Sequence, residues 1–287
     1  MSNPFFSSSP IFGKGKTARG TGPASTLDAA SMAQPGMDSA ALDQRYRAPS
    51  ATSWDTDRMT YDDVIVRTGS LLAIVVGVGA VTWVVAPQLY WVGMLVGFAL
   101  GLVNAFKKVP SPGLIMAYAV AEGVFLGGIS QYFDNLVIRG QLVHGIVLQA
   151  VLATVATFAV TLALFRSGKV RVTPKFTRWL MIAIGGYVVF SLVNLVLVWS
   201  GTLPDFGLRS KTVTILGISG IPLGILIGVF AVGLAAASLI VDFDSIQRGV
   251  NKGIAKRYAW AAAFGLLVTL IWLYIEFLRI LALSRGR

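Results

Sequence analysis

Seven apolar stretches, each long enough to cross a bilayer, fill most of the chain after residue 66, and they constrain the fold more than any motif does. Covering a hydrocarbon core of about 30 Å takes about 20 helical residues. The stretches run 68–87, 89–106, 113–133, 142–165, 178–200, 212–242 and 258–283. No water is available inside hydrocarbon to satisfy backbone N–H and C=O groups, so each stretch must close its own hydrogen bonds as a helix. The expected fold is therefore all-α: a polytopic membrane protein with seven transmembrane helices. Trp83, Tyr90, Trp91, Trp179, Trp199 and Trp260 fall near stretch ends, where amphipathic rings prefer the headgroup level.

Residues 1–66 differ in kind. They are rich in Ser, Pro, Gly, Ala and Asp and have no sustained apolar period, so they bury too little surface to offset the entropy of ordering. Two regions are expected, a disordered cytoplasmic tail over 1–66 and a seven-helix transmembrane domain over 67–287. No apolar core of a secretory signal lies near the start, so the first helix itself is expected to direct insertion.

The distribution of Lys and Arg orients the chain. If the amino terminus is cytoplasmic, thirteen basic residues flank the inner ends of the stretches, against Arg139, Arg209, Lys211, Arg285 and Arg287 outside. The positive-inside rule then places the amino terminus in and, with an odd number of spans, the carboxyl terminus out. The formal charge of +11 needs no nucleic acid as partner, because the bases sit where anionic headgroups attract them. The lipid bilayer is the expected partner.

Several chemistries drop out. The chain has no cysteine and one histidine, His144, which excludes thiolate and multi-histidine metal sites, and no metal or cofactor is expected. Gly217–Gly220 reads Gly-Ile-Ser-Gly, a pattern of intramembrane serine proteases with Ser219 as nucleophile. Such a site needs a histidine on a later helix, and His144 precedes the serine. No enzyme is expected.

Glycines recur every four residues at Gly93, Gly97 and Gly101, at Gly123 and Gly127, and at Gly220, Gly224 and Gly228. Small residues at this spacing let helices approach closely. Pro222 lies inside the sixth stretch and is expected to kink it.

Acids within apolar runs carry the most information. An intramembrane carboxylate costs about 3 kcal/mol on insertion scales, so it marks a functional site by default. Glu122 sits deep in the third stretch, as a proton- or cation-interacting group. Glu276 has Arg279 at i+3, which also fits a local ion pair near the outer interface. Asp242 and Asp244 stand at the end of the sixth stretch, about 200° apart around a helix, so at most one points into the bundle. They fit equally as interface loop residues, with Asp244 paired to Arg248 at i+4.

The segment Val241–Gly249, VDFDSIQRG, is similar to the Phe-Asp-Thr-Gln segment that closes the sixth helix in the Bax inhibitor family of seven-helix membrane proteins. The third stretch, AEGVFLGGIS, and the terminal FLRIL of the seventh also resemble that family, in the manner of a divergent bacterial branch. The resemblance implies a pH-responsive cation pathway, calcium leak above all, in the bacterial inner membrane. In the family an aspartate ending the sixth helix shares a proton with one on the seventh and holds the path closed. By alignment the first is Asp244; the second falls on Val268 or Thr269, neither of which titrates. The acids available as ion-pathway or pH-sensing groups are thus Asp244, Asp242, Glu122 and Glu276. The alternative is a regulator that binds other membrane proteins through its glycine stripes and tail, in stress survival or membrane proteolysis.

Overall fold

The computed structural model describes residues 57–138, 141–142, 145–168, 172–203, 207–215 and 218–285; the tail residues 1–56 and His144 lie outside them. Seven long apolar helices are present: α1 Tyr61–Val85, α2 Tyr90–Phe106, α3 Pro112–Asp134, α4 Ile146–Arg166, α5 Pro174–Trp199, α6 Leu223–Asn251 and α7 Ala259–Arg285. Each is long enough to span a bilayer, so the chain is a multi-pass membrane protein. Two antiparallel hairpins connect helices. Strand β1 (Val137–Ile138) pairs with β2 (Gln141–Leu142) between α3 and α4, and β3 (Thr212–Ile215) pairs with β4 (Ile218–Pro222) between α5 and α6.

Helix α7 is the hub. It packs against α1, α3, α4 and α6, and half of its most apolar window is buried, whereas none of the corresponding window of α5 is. One cluster joins α6 and α7 through Leu239, Phe243, Ile246, Leu266 and Leu273; another joins α1, α3 and α7 through Leu71, Ile115 and Leu267. Helices α1 and α3 meet backbone to backbone, for a Cβ added to Gly127 would strike the main chain of Gly79. The Gly224 and Gly228 positions leave room for Leu283 and Ile280 of α7 in the same way. The glycine stripes of α2, α3 and α6 are thus used inside the bundle.

One end of the bundle is clasped. Thr60 caps α1 by a reciprocal pair with Asp63, its hydroxyl taking the Asp63 N–H at 3.1 Å while Asp63 Oδ2 takes the Thr60 N–H at 3.2 Å. The preceding residues run antiparallel to the α6–α7 connection: Met59 N–H donates to Ile254 O at 2.8 Å and Lys256 N–H to Asp57 O at 2.8 Å. Lys256 Nζ lies 3.4 Å from Asp63 Oδ1, and Arg67 donates to Lys256 O at 3.0 Å while stacking over Trp260. Met59 is 3% exposed, against Phe243 and Ile246.

Three expectations are corrected. Helix α1 starts at Tyr61 and the chain is anchored from 57, so the boundary at 66 falls within a helix rather than at the end of a tail. The sixth span is 223–251, not 212–242: Thr212–Ile215 and Ile218–Pro222, β-branched and broken by glycine, form a hairpin instead of helix. Pro222 therefore immediately precedes α6, in an extended conformation, and introduces no kink.

Candidate functional site

Because α6 extends to Asn251, Asp242 lies nine residues before its end, about 14 Å along the axis at 1.5 Å per residue. Thr269 lies ten residues after the start of α7 and Glu122 ten after the start of α3, each about 15 Å along its helix. Successive antiparallel spans put all three starting points at the clasped end of the bundle. The three polar groups therefore lie at a similar height above that end, within the spanning helices.

The residues of α6 that face its neighbours explain which aspartate points inward. Ala235, Leu239, Phe243, Ile246 and Gly249 are buried, spaced three and four apart as one helix face. Asp242 falls at i+3 from Leu239 and i−4 from Ile246, on that face. Asp244 is off it, and it pairs instead with Arg248 one turn on, whose side chain is half exposed. This reverses the expected orientation: Asp242, not Asp244, is turned to α7. Nor do the two stand in a loop or at a helix end.

The contact made by Asp242 is specific. Thr269 Oγ1 lies 2.9 Å from Asp242 Oδ2 and 3.1 Å from Gly265 O. A hydroxyl carries one hydrogen, so Thr269 donates either to the carboxylate or to the carbonyl. Both contacts are hydrogen bonds at once only when Asp242 carries a proton and donates it to Thr269 Oγ1. An ionised Asp242 accepts one hydrogen bond and leaves its remaining lone pairs without a donor among the described contacts. A neutral acid is satisfied in this partly buried site; a charged one calls for water or a cation.

Glu122, 9% exposed, is hydrogen-bonded by the Tyr118 hydroxyl one turn before it on α3, and its carboxyl group fills the space opposite Gly97 of α2. Gly97 has no side chain there because Glu122 takes its place. The structure puts Glu122 between α2 and α3, away from the α6–α7 contact.

Glu276 belongs to a third assembly, toward the other end of α7. It is 1% exposed. Arg279 approaches at 2.6 Å and Arg209 at 3.5 Å, and the Tyr187 hydroxyl donates to it. Arg209 also donates to Tyr187 Oη at 2.8 Å and Ser191 Oγ at 3.3 Å, with its guanidinium over the Tyr187 and Phe190 rings. It is delivered by a short 3-10 turn, Gly207–Ser210, in which Gly207 takes φ +59° and Leu208 N–H donates to Asn194 Oδ1 of α5 at 2.8 Å. The expected Glu276–Arg279 pair is present, but it is buried and shared with Arg209, which the sequence placed among the outer flanking charges. With α5 otherwise facing outward, this assembly is what fastens it to α7.

Sequence reasoning thus missed Arg209, Tyr187 and Ser191, and treated Thr269 only as a position unable to titrate. Tyr187, Ser191 and Asn194 stand at i, i+4 and i+7, a polar stripe on one face of an otherwise apolar helix, and that spacing was readable. Ser219 falls in strand β4, and the histidine that a serine protease would need lies outside the described residues.

The fold and these sites define a seven-helix membrane protein with acidic side chains held between its spanning helices. A family model described as Bax inhibitor 1 like matches residues 3–286. The chain belongs to that family. No curated protein matches it.

Proposed function

We propose that the protein is a pH-sensitive cation leak, calcium being the first ion to test, in a bacterial inner membrane, with its amino terminus in the cytoplasm. The reading is non-enzymatic. It rests on family membership and on one observation, the Asp242–Thr269–Gly265 chain at the centre of the bundle. Of the two positions matched to the family's seventh-helix aspartate, Val268 and Thr269, the reading takes Thr269, because it is the one in contact with Asp242 of the sixth helix. A single acid against a hydroxyl replaces a pair of acids sharing a proton. The neutral state keeps α6 and α7 joined and dry; ionisation creates a site for water and a cation in the same place. Opening is therefore favoured by rising pH. The regulator reading loses one of its supports, because the glycine stripes of α2, α3 and α6 are already occupied by partners within the bundle. Calcium flux into liposomes holding the purified protein, followed from pH 5 to pH 9, tests the proposal. Flux that rises with pH supports it, and absence of flux across the range overturns it.

A further inference from the structure

A cavity of about 690 Å³ opens along the side of the bundle between α1 and α4. That size lies within the range of about 300–1,000 Å³ usual for sites that enclose a small molecule. Val76 and Ala80 of α1 form one wall and Val151 and Val155 of α4 the other, while Leu270 and Ile271 of α7 make the floor. On α1 the lining runs from Thr68 to Val84, about 24 Å of a hydrocarbon core of about 30 Å.

The chemistry of the walls selects the occupant. Polar side chains at the groove are turned to the protein. Thr154 donates to Ala150 O at 2.8 Å, and Ser130 and Tyr274 hydrogen-bond one another at 2.6 Å. Thr68 Oγ1, at one end of the lining, is enclosed and makes no hydrogen bond among the described residues. Apart from the Trp83 indole, what remains of the lining is hydrocarbon side chain and glycine. Such a groove offers nothing to a hydrated ion and stays dry. It is also continuous with the lipid-facing surface, since Val76 is 69% exposed, Val155 58% and Val84 79% at its rims.

We propose that this groove is a binding slot for one acyl chain of a bilayer phospholipid. The slot is separate from the Asp242–Thr269 contact, and its occupant spaces α1 from α4 over α7. The lipid chain completes the packing that the side chains of these two helices leave open.

The test uses the full chain in vesicles of phosphatidylcholine doped with a phospholipid carrying a photoreactive diazirine on one acyl chain, with labelled peptides mapped by mass spectrometry. Labelling of Leu270 and Ile271 is expected at a level comparable to that of outward-facing Phe98 on α2. Ala80→Trp and Val151→Trp, each filling the groove from a different wall, should lower floor labelling several-fold and leave Phe98 labelling unchanged, which also shows that the variants are folded in the membrane. Because the chain lacks cysteine, a Leu270→Cys variant gives a background-free second readout: a charged, membrane-impermeant thiol reagent should not modify it. An unlabelled floor, floor labelling indifferent to both fillers, or modification of the cysteine from water each overturns the proposal. All three readouts are independent of cation flux, so they stand whether or not the leak proposal does.

Discussion

Replacing Asp242 by Asn removes the charge while keeping shape and hydrogen bonding. The asparagine amide donates to Thr269 Oγ1, which lies 2.9 Å from the carboxyl oxygen it replaces, and Thr269 still donates to Gly265 O. The Asp242→Asn variant is therefore a permanent copy of the neutral acid. In the wild type, an ionised carboxylate in the middle of a transmembrane helix costs up to about 2.5–3.5 kcal/mol, and its one hydrogen bond returns about 0.6 kcal/mol, the average for such bonds within a membrane. About 2–3 kcal/mol is left to be met by water or a cation, equivalent to roughly a 30- to 150-fold bias toward the wetted state. Asp242→Asn removes that bias. Calcium flux through the variant should remain at the low-pH level from pH 5 to pH 9, while wild-type flux climbs by at least about tenfold over the same range. The assay is fluorescence of a calcium dye sealed in liposomes, with protein content matched by immunoblot. A variant that still responds to pH as the wild type does, or an Asp244→Asn variant that loses the response instead, would refute the orientation of α6 on which the reasoning rests.

Other consequences can be checked independently. Glu122→Gln should leave the pH response of flux in place, since Glu122 lies between α2 and α3 and not at the α6–α7 contact; loss of the response in the same flux series would move the sensor to α3. Glu276→Ala strands the buried Arg209 guanidinium and the partly buried one of Arg279 and should lower stability by about 3 kcal/mol, read as the midpoint of thermal unfolding in detergent; adding Arg209→Ala should recover part of that loss, because the buried stranded charge is then gone. Deleting residues 1–55 should spare insertion and stability, whereas deletion through 60 removes the Thr60 cap and the buried Met59, costing about 1 kcal/mol and about 2 kcal/mol respectively; equal stability of the two truncations would show the clasp to be dispensable. Reporters fused before Met1 and after Arg287 should lie on opposite sides of the membrane, cytoplasmic and external; both on one side would contradict the orientation drawn from the basic residues.

How much of this was legible depends on whether the signal was repeated along the chain or made once across it. Seven helices were readable because each repeats the same message for about 20 residues. Where two elements shared an apolar run the message blurred. Residues 212–242 read as one span, yet the first part pairs with itself as a hairpin, because β-branched residues around Gly217 and Gly220 favour strand. The helix starts at Leu223 and runs on to Asn251, which takes Asp242 and Asp244 from a helix terminus into the interior of a helix. The inward aspartate was then decided by spacing already in the sequence. Leu239, Asp242, Ile246 and Gly249 step by three and four, a stripe to which Asp244 does not belong. Resemblance to the family motif favoured the aspartate following Phe243; helical geometry favours the one preceding it. Contacts such as Arg209 with Glu276, 67 residues apart, leave no local pattern, because a loop arginine brought inward by a turn reads in sequence like any solvated base. Yet the polar stripe of Tyr187, Ser191 and Asn194 on α5 is the receiving half of that contact. Polar residues at one-face spacing in a lipid-facing helix need a partner, and the chain supplies it from the α5–α6 connection, which folds back to deliver Arg209.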